Sequence, residues 1–424
     1  MKKIFKKLFK IFLWLTGLFI IFLVALFIFI QTDMFNNLAL DFATKKLNEG
    51  WKEKESVISA GSISGNIFSN LKLEDILITV KSDTIIKINT LSLKYDIWGL
   101  LDKQIRLENV TIDSPDINFL KIKDSSGSLI WNFSKLFSSA EEDKDTTGSA
   151  FDWDIALNDL KILNGSFTTN TPVQKQTDSL TLQNDSLNNF NFENLKVSDL
   201  NADLNAEYFT DNKILNLNNL SFKTRSGFRI DTLSFKTEIN LKDTTIDLDN
   251  LKFITGRSDI RINKIHINKL NPFDSTTFIN FKEKFFEADF NIAKLDFDDV
   301  KYFIPDVEYL DSTISLTINA KGKYGDFDLA DLTLRLPDSY INLTGNVQNL
   351  DEPDSLYLDI IANDLSIQTA DIKKIYKDNS MEDYSHLGKV NADITFTGTV
   401  NKFFTQFDIN TNAGSSDGIL NLDL

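Results

Sequence analysis

An eight-residue pattern recurs along this chain and constrains its fold more than any other feature. The pattern is apolar-x-apolar-x-(Asn/Asp)-apolar-x-apolar, and its seven copies begin at residues 71, 105, 155, 190, 215, 246 and 327. A near-copy at 260–267 carries Lys264 in place of Asn or Asp. Side chains of a β-strand alternate between its two faces. Each copy therefore predicts a strand whose first two apolar residues are out of step with its last two.

A β-bulge would bring all four apolar residues of a copy onto one face. The extra residue of such a bulge would lie at the fourth and fifth positions of the pattern. Asn and Asp tolerate the unusual backbone angles that some bulges need. The predicted bulge positions are Asp75, Asn109, Asp159, Asn194, Asn219, Asn250 and Asp331. Repeated bulges make a sheet twist and curl, so the sequence predicts a mainly β fold, an elongated and curled antiparallel sheet with a few short helices.

The apolar positions of the pattern predict one continuous apolar face. An ordinary sandwich would cover this face with a second sheet, but nearly every strand here shows the same one-sided pattern. A groove that shelters the apolar row and leaves room for a long apolar ligand fits better. The predicted lining residues are Leu71, Leu73, Ile76, Ile78, Ile105, Leu107, Val110, Ile112, Ile155, Leu157, Leu160, Ile162, Leu215, Leu217, Leu220, Phe222, Ile246, Leu248, Leu251 and Phe253.

The N-terminal segment, 1–30, predicts a single membrane anchor. Five lysines lie in the first ten residues, and the stretch 11–30 then carries no charge. Twenty helical residues span about 30 Å, the thickness of a bilayer core. The lysines place the N-terminus in the cytoplasm and the rest of the chain across the membrane. A cleaved signal peptide is the alternative, but its apolar region would be shorter and followed by small residues.

The charge of the chain excludes a nucleic-acid partner. The net charge is −16 and the segment 1–30 contributes +5, so the segment 31–424 carries −21. Such an acidic chain offers no basic surface to neutralise phosphates. The chain has no cysteine, which excludes a disulfide framework.

The order of segments predicts five regions. Residues 1–10 form a cytoplasmic basic segment, 11–30 the anchor, and 31–56 an amphipathic helix and its connection. Residues 57–293 form the first part of the groove, with a disordered loop near 138–149, and 294–424 contain helix-plus-strand repeats. In these repeats Val300 corresponds to Ile372, and Gly322 corresponds to Gly398 at nearly the same offset. The eight-residue copies themselves start at irregular intervals, which disfavours a solenoid with a fixed rung.

No set of residues predicts catalysis, and we expect no enzyme activity, cofactor or metal. His266 and His386 lie far apart in the sequence, and His266 stands between Ile265 and Ile267, where it should point away from the apolar face. Acidic clusters such as Asp296, Asp298 and Asp299 are interpreted as solvated strand edges. Asp-(Ser/Thr)-apolar triplets at 83–85, 178–180, 185–187, 231–233 and 354–356 resemble an O-glycosylation signal of some Bacteroidota, although such residues also form turns.

Several segments together resemble the N-terminal part of the TamB family, within the AsmA-like superfamily. They are the Lys-rich start, the anchor, the short helix, the turn GSISG at 61–65, and the first copy followed by DTIIKINTLSLKYDIWGLL at 83–101. FIPD at 303–306 and INLTGNVQNL at 341–350 resemble repeats of the same superfamily. Members of the family are much longer, so the resemblance implies a truncated chain.

The resemblance implies a protein of the inner membrane whose periplasmic β-groove conducts phospholipid toward the outer membrane. Its implied partners are membrane lipids, the inner membrane and a BamA-like outer-membrane barrel. A second hypothesis is a chaperone or assembly factor that pairs client strands with its sheet edges. A third is a structural tether or adhesin, which the low glycine count of 17 disfavours.

Overall fold

The fold is mainly β, as the sequence predicts, with 63% of the residues that the structure describes in strands. A computed structural model describes residues 32–51, 55–81, 83–123, 127–134, 153–171, 191–278, 281–304, 307, 310–375 and 384–424, together with scattered helical positions between 18 and 30. The predicted basic segment 1–10 and the predicted loop 138–149 lie outside the described residues, as does most of the predicted anchor 11–30. Within the described part, no helix combines the length and the apolar character that crossing a membrane requires.

The chain divides into two compact units, residues 1–174 and 175–424. This division falls in the polar stretch around residues 171–189, not near residue 293. The first unit begins with helix α1, Asp33–Trp51. Its strands are β1 Ser56–Ser59, β2 Ser62–Asn66, β3 Asn70–Val80, β4 Asp83–Asp96, β5 Gln104–Asp113, β6 Asp116–Lys123, β7 Leu129–Trp131 and β8 Asp154–Asn170.

At two places in the first unit, a pair of strands lies beside one longer strand. The pairs are β1 and β2 beside β3, and β5 and β6 beside both β4 and β8. β1 and β2 pair with successive halves of β3, and β3 pairs with β4. β4 is antiparallel to β5 and, over two residues, to β6. β8 then runs parallel to β5 along its first half and parallel to β6 along its second half. The expectation of an antiparallel sheet throughout is therefore wrong for this unit, because the connection between β5 and β8 is a long crossover and not a hairpin.

The second unit is an antiparallel meander in which each strand pairs with the next along the chain. Its strands are β9 Lys196–Tyr208, β10 Asn212–Thr224, β11 Arg229–Asn240, β12 Thr245–Thr255, β13 Asp259–Asn268, β14 Phe285–Asp296, β15 Thr313–Lys323, β16 Asp326–Arg335, β17 Tyr340–Gln348, β18 Tyr357–Gln368, β19 Lys389–Thr399, β20 Lys402–Thr411 and β21 Gly414–Asp423. Eight of its twelve connections have two to four residues, which favours hairpin pairing of consecutive strands.

Two short helices follow strands of the second unit. They are α2, Phe297–Phe303, and α3, Thr369–Ile375. Both lie in the region 294–424, for which the sequence predicts helix-plus-strand repeats, and the strand pairs that follow contain the two aligned glycines. Gly322 and Gly398 both have positive φ, and a Cβ on either would lie 2.0 or 2.3 Å from a backbone oxygen of the next strand. These positions therefore need glycine, which accounts for the correspondence seen in the sequence.

Candidate functional site

In the first unit, apolar residues lie opposite apolar residues in the β3–β4, β4–β5 and β5–β8 strand pairs. Residues paired directly in a sheet share a face, so the pairing register shows which side chains lie side by side. The four apolar positions of the β5 copy meet those of the β8 copy one for one. The pairs are Ile105 with Ile155, Leu107 with Leu157, Val110 with Leu160 and Ile112 with Ile162.

The β3 copy extends this face toward the start of the unit. It pairs with β4 through Leu71 with Leu93, Leu73 with Leu91, Ile76 with Ile88 and Ile78 with Ile86. β4 in turn pairs Leu93 with Val110 and Leu91 with Ile112. These pairings place six predicted lining residues in one row across β3, β4, β5 and β8, namely Leu71, Leu73, Val110, Ile112, Leu160 and Ile162. A bulge in each copy would bring the other six onto the same face.

The second unit carries a row of the same kind. The β12 copy meets the near-copy on β13 through Ile246 with Ile267, Leu248 with Ile265, Leu251 with Ile262 and Phe253 with Ile260. On β10, Leu217 pairs with Phe235, Leu220 with Leu233 and Phe222 with Ile230, whereas Leu215 pairs with Thr237. Further along, Phe290 on β14 lies between Ile262 and Ile318. Apolar side chains thus continue across strands that carry no copy of the pattern.

The lining residues are only partly covered. Ile76, Val110 and Leu217 are buried, the other seventeen predicted lining residues are half-buried, and none is exposed. The inward side chains of a two-layer sandwich would be mostly buried, as in other protein cores. A half-buried apolar face keeps surface from which a ligand could still displace water.

The predicted bulges take two forms in the sheet. Where the strand opposite a copy has no extra residue at that point, the register shifts by one residue. This occurs between β5 and β4 near Asn109, and between β16 and both its neighbours near Asp331. β10 likewise shifts against β9 and β11 beside Asn219. Where two copies pair, the extra residues lie opposite each other and the register is unbroken. The β5–β8 pair around Asn109 and Asp159 is of this second kind.

Left-handed backbone angles occur at some bulge positions and not at others. Asp75 has φ 52° and Asn250 has φ 54°. Asn109, Asp159, Asn219 and Asp331 are absent from the residues with positive φ. The fifth position of the pattern therefore has a left-handed backbone in some copies and an ordinary one in others, and Asn and Asp tolerate both.

The bulge predicted at Asn194 is wrong. Residues 192–194 form a turn, with the Asn194 N–H donating to Asn191 O, and β9 begins only at Lys196. The bulge of this strand lies further along, at Asp199, which has φ 53° and a register shift against β10. The segment LKVSDLNA at 195–202 matches the pattern when alanine is accepted at the last apolar position, Ala202.

Two further copies escape the strict pattern for similar reasons. IKINTLSL at 86–93 on β4 has Thr90 at the fifth position. Asn89 of this copy lies opposite Asp75, which explains why the β3–β4 register is unbroken there. IIANDLSI at 360–367 on β18 has Ala362 at the third position, Asp364 with φ 56°, and a register shift against β19.

The opposite face of the strands is polar and is held by side-chain contacts. The Asn109 side chain donates to Asp159 Oδ2 at 2.6 Å across the two facing bulges. His266 Nδ1 lies 2.7 Å from Asp247 Oδ1, so its ring is on the polar side, between apolar residues that face the other way. Lys264, at the bulge position of the near-copy, donates to Glu287 at 3.0 Å. This hydrogen bond raises the pKa of the Lys264 ammonium group.

Each of the two short helices carries a buried aspartate that binds the turn of a hairpin. The sequence did not predict this role. Asp299 Oδ2 accepts from Ser258 Oγ at 2.7 Å, and Asp371 Oδ2 accepts from Ser339 Oγ at 2.8 Å. Each serine lies in the turn of a hairpin, β12–β13 or β16–β17. The two aspartates directly precede Val300 and Ile372, the aligned pair of the repeat, so this alignment contained the signal.

Each serine also accepts a backbone hydrogen bond from the strand that leads into the helix. Asp296 N donates to Ser258 Oγ at 3.0 Å, and Gln368 N donates to Ser339 Oγ at 2.9 Å. Asp299 and Asp371 are 6% and 0% exposed, so the interpretation of Asp299 as a solvated residue is wrong. The aspartates and the backbone donors repeat at the same offset, and we interpret both sets of contacts as structural.

Within the described residues, no group of three or more acidic, histidine or cysteine side chains could hold a metal ion. Comparisons with protein-family models, with curated proteins and with solved structures found no match to this chain. The resemblance to the TamB family therefore remains a hypothesis that rests on the sequence pattern.

Proposed function

We propose that the chain is an inner-membrane-anchored periplasmic protein that conducts phospholipid toward the outer membrane along its apolar face. The observation that supports this proposal is the row of paired apolar side chains in each unit, half-buried and supported behind by a polar face. Such a row suits a long flexible hydrocarbon better than a compact ligand, because it continues from strand to strand and is interrupted at the lining residues described only at Thr237, opposite Leu215.

The energy of acyl-chain burial is sufficient for binding without specific polar contacts. Each CH₂ group removed from water contributes about 0.8 kcal/mol. A chain of ~16 carbons would gain on the order of 10 kcal/mol on a face that covers it well. The face would then bind many lipids with similar affinity, and a lipid could move along it without breaking directional hydrogen bonds.

Charge placed on the apolar face should block this conduction. We expect that changing Ile105, Leu107, Val110 and Ile112 to Asp abolishes outer-membrane lipid homeostasis in the native host. A matched variant with Asp at Arg106, Glu108 and Thr111, which alternate with them on β5, should retain it. Circular dichroism of both purified chains checks that the strands persist. Normal lipid homeostasis in a folded apolar-face variant would contradict the proposal.

A second candidate function is an assembly factor that pairs client strands with a sheet edge, with a BamA-like barrel as a partner. β21 pairs with β20 and with no other described strand, and Ile419 on β21 is 67% exposed. Among the described strands, one side of β21 thus has no strand partner, and such a side can accept a further strand, from a client or from the same chain. Photoreactive side chains distinguish the two functions, because capture of client protein at β21 supports the second and capture of lipid on the apolar face supports the first.

A further inference from the structure

Helix α1 is attached to the first unit near both of its ends. Asn36 is 1% exposed, and its side chain donates to Gly65 O at 3.0 Å. Asn48 binds the edge strand β1 at both backbone groups of Ile58, donating to its oxygen at 2.9 Å and accepting from its nitrogen at 2.7 Å. A side-chain amide thus takes the place of a neighbouring strand, and α1 covers the β1–β2 edge.

The first half of α1 carries an exposed apolar stripe. Met34, Leu38 and Phe42 are 66%, 53% and 66% exposed. Their spacing of four residues places them along one helix face, roughly opposite the face that carries Asn36. Three large apolar side chains in a row on a helix are a larger exposed patch than isolated surface residues make.

The stripe begins where an exposed apolar helical stretch ends. Ile21, Phe22 and Ile28 in that stretch are between 58% and 69% exposed. The junction is held by Thr32, whose hydroxyl donates to Phe29 O at 2.6 Å and accepts from Phe35 N at 3.3 Å. The Phe29 and Phe35 rings also pack edge to face, with centroids 5.6 Å apart. The start of α1 is therefore fixed next to the stretch that the sequence predicts as an anchor.

We infer that the Met34–Leu38–Phe42 stripe docks on the surface of the bilayer, at the boundary between headgroups and acyl chains. This inference rests on the proposed function, which places residues 11–30 in the membrane. Apolar helix faces insert to this depth. The first half of α1 has Asp33 and Asp41 but no Lys or Arg, so the contact is apolar and does not need anionic lipid. α1 would then hold β1 and β2, whose Ile58 and Ile63 pair with Ile78 and Leu73 of the apolar face, against the membrane that supplies the lipid.

Single labelled cysteines test this docking in the full chain, which has no cysteine of its own. Leu38→Cys and Phe42→Cys report on the stripe, and Ala43→Cys is an exposed neighbour on another side of the helix. Each chain carries an environment-sensitive fluorophore and is reconstituted into phosphatidylcholine vesicles. We expect nitroxide lipids to quench the labels at 38 and 42 at least roughly twofold more than the label at 43, as for an interfacial helix, while aqueous iodide quenches the label at 43 more strongly.

A fourth variant, Leu26→Cys, separates failure of the inference from failure of the proposed function. Labels at 38 and 42 that iodide reaches as readily as 43, with 26 shielded by lipid, overturn the docking and leave the anchor intact. Labels at 38 and 42 protected from both quenchers show a protein partner on the stripe and also overturn it. Iodide quenching at 26 contradicts the membrane placement itself.

Discussion

At the scale of single residues, the eight-residue pattern encodes an extra residue in a strand and the side chain that holds it. The contact between Asn109 and Asp159 shows how two such residues can stabilise each other. They lie on parallel strands that are distant in sequence, and their bulges face each other without a change of register.

We predict that Asn109→Ala destabilises the first unit by about 1 kcal/mol, the usual net worth of such a hydrogen bond. The neighbouring substitution Glu108→Ala removes an exposed ion pair with Lys94 and should cost less than about 0.5 kcal/mol. Hydrogen exchange of the β5 and β8 amides measures both effects. Equal protection in the two variants would show that the facing bulges do not depend on this contact.

A second prediction concerns the left-handed residue Asn250 on β12. Asn250→Val should reduce local stability by about 1–2 kcal/mol, because a β-branched side chain disfavours positive φ. Asn250→Gly should be close to neutral, because glycine adopts this conformation freely. Exchange rates of the β12–β13 amides report the difference. Similar rates for Val and Gly would contradict a left-handed requirement at this position.

A full match to the pattern did not always predict a bulge, and an incomplete match concealed others. Asn194 fitted the pattern by its letters, yet it lies in a turn before β9. Asp199 is the bulge of that strand, but Ala202 hid it. The reason is physical, because a sheet face needs only a small apolar group opposite a large one, as Ala202 lies opposite Leu220.

At the scale of elements, the short helices act as closures of hairpin ends. Each brings one buried carboxylate to the hydroxyl of a turn serine, and the repeat preserves both the carboxylate and the backbone donor at the same offset. Phe228, which is 2% exposed, adds a ring contact to Phe303 of α2 at 5.1 Å. These closures depend on contacts between segments far apart in sequence, so the strand pattern alone could not reveal them.

We predict that Asp371→Ala opens α3 from its hairpin and costs about 2–3 kcal/mol locally, because it leaves Asp338 N and Ser339 Oγ without their acceptor. Lys374→Ala is the matched control, since it removes only the half-exposed partner of the same carboxylate at 3.6 Å. Hydrogen exchange across 336–339 and 369–375 should rise in the first variant and change little in the second. An equal rise in both would assign the stability to the ion pair instead.

The parallel pairing of β5 and β8 also lay beyond sequence reasoning. The pattern determines which side chains share a face, but it is silent on which copy becomes the neighbour of which. Consecutive strands usually pair as hairpins, and the second unit follows this rule throughout. In the first unit β6 and β7 intervene, and β8 returns beside β5 and β6 together.

At the scale of the whole molecule, the two units share one design, a sheet with an apolar face and a polar face. Copies of the pattern lie on both units, so the same local rule builds both apolar rows. This shared rule is the reason to propose one continuous function for the chain, the movement of acyl chains along apolar faces, with α1 securing the start of the first unit to the membrane.

Photo-crosslinking on the apolar face tests that proposal most directly. A benzophenone side chain replaces Leu107 in the first unit or Phe290 in the second, and Arg106 and Asn291 are the adjacent controls on the polar face. The full chain is irradiated in membranes of a Gram-negative host, purified and weighed intact. We expect phospholipid adducts at 107 and 290 and none at 106 and 291. Adducts at equal yield on both faces, or protein adducts alone at 107 and 290, would contradict lipid conduction along this face.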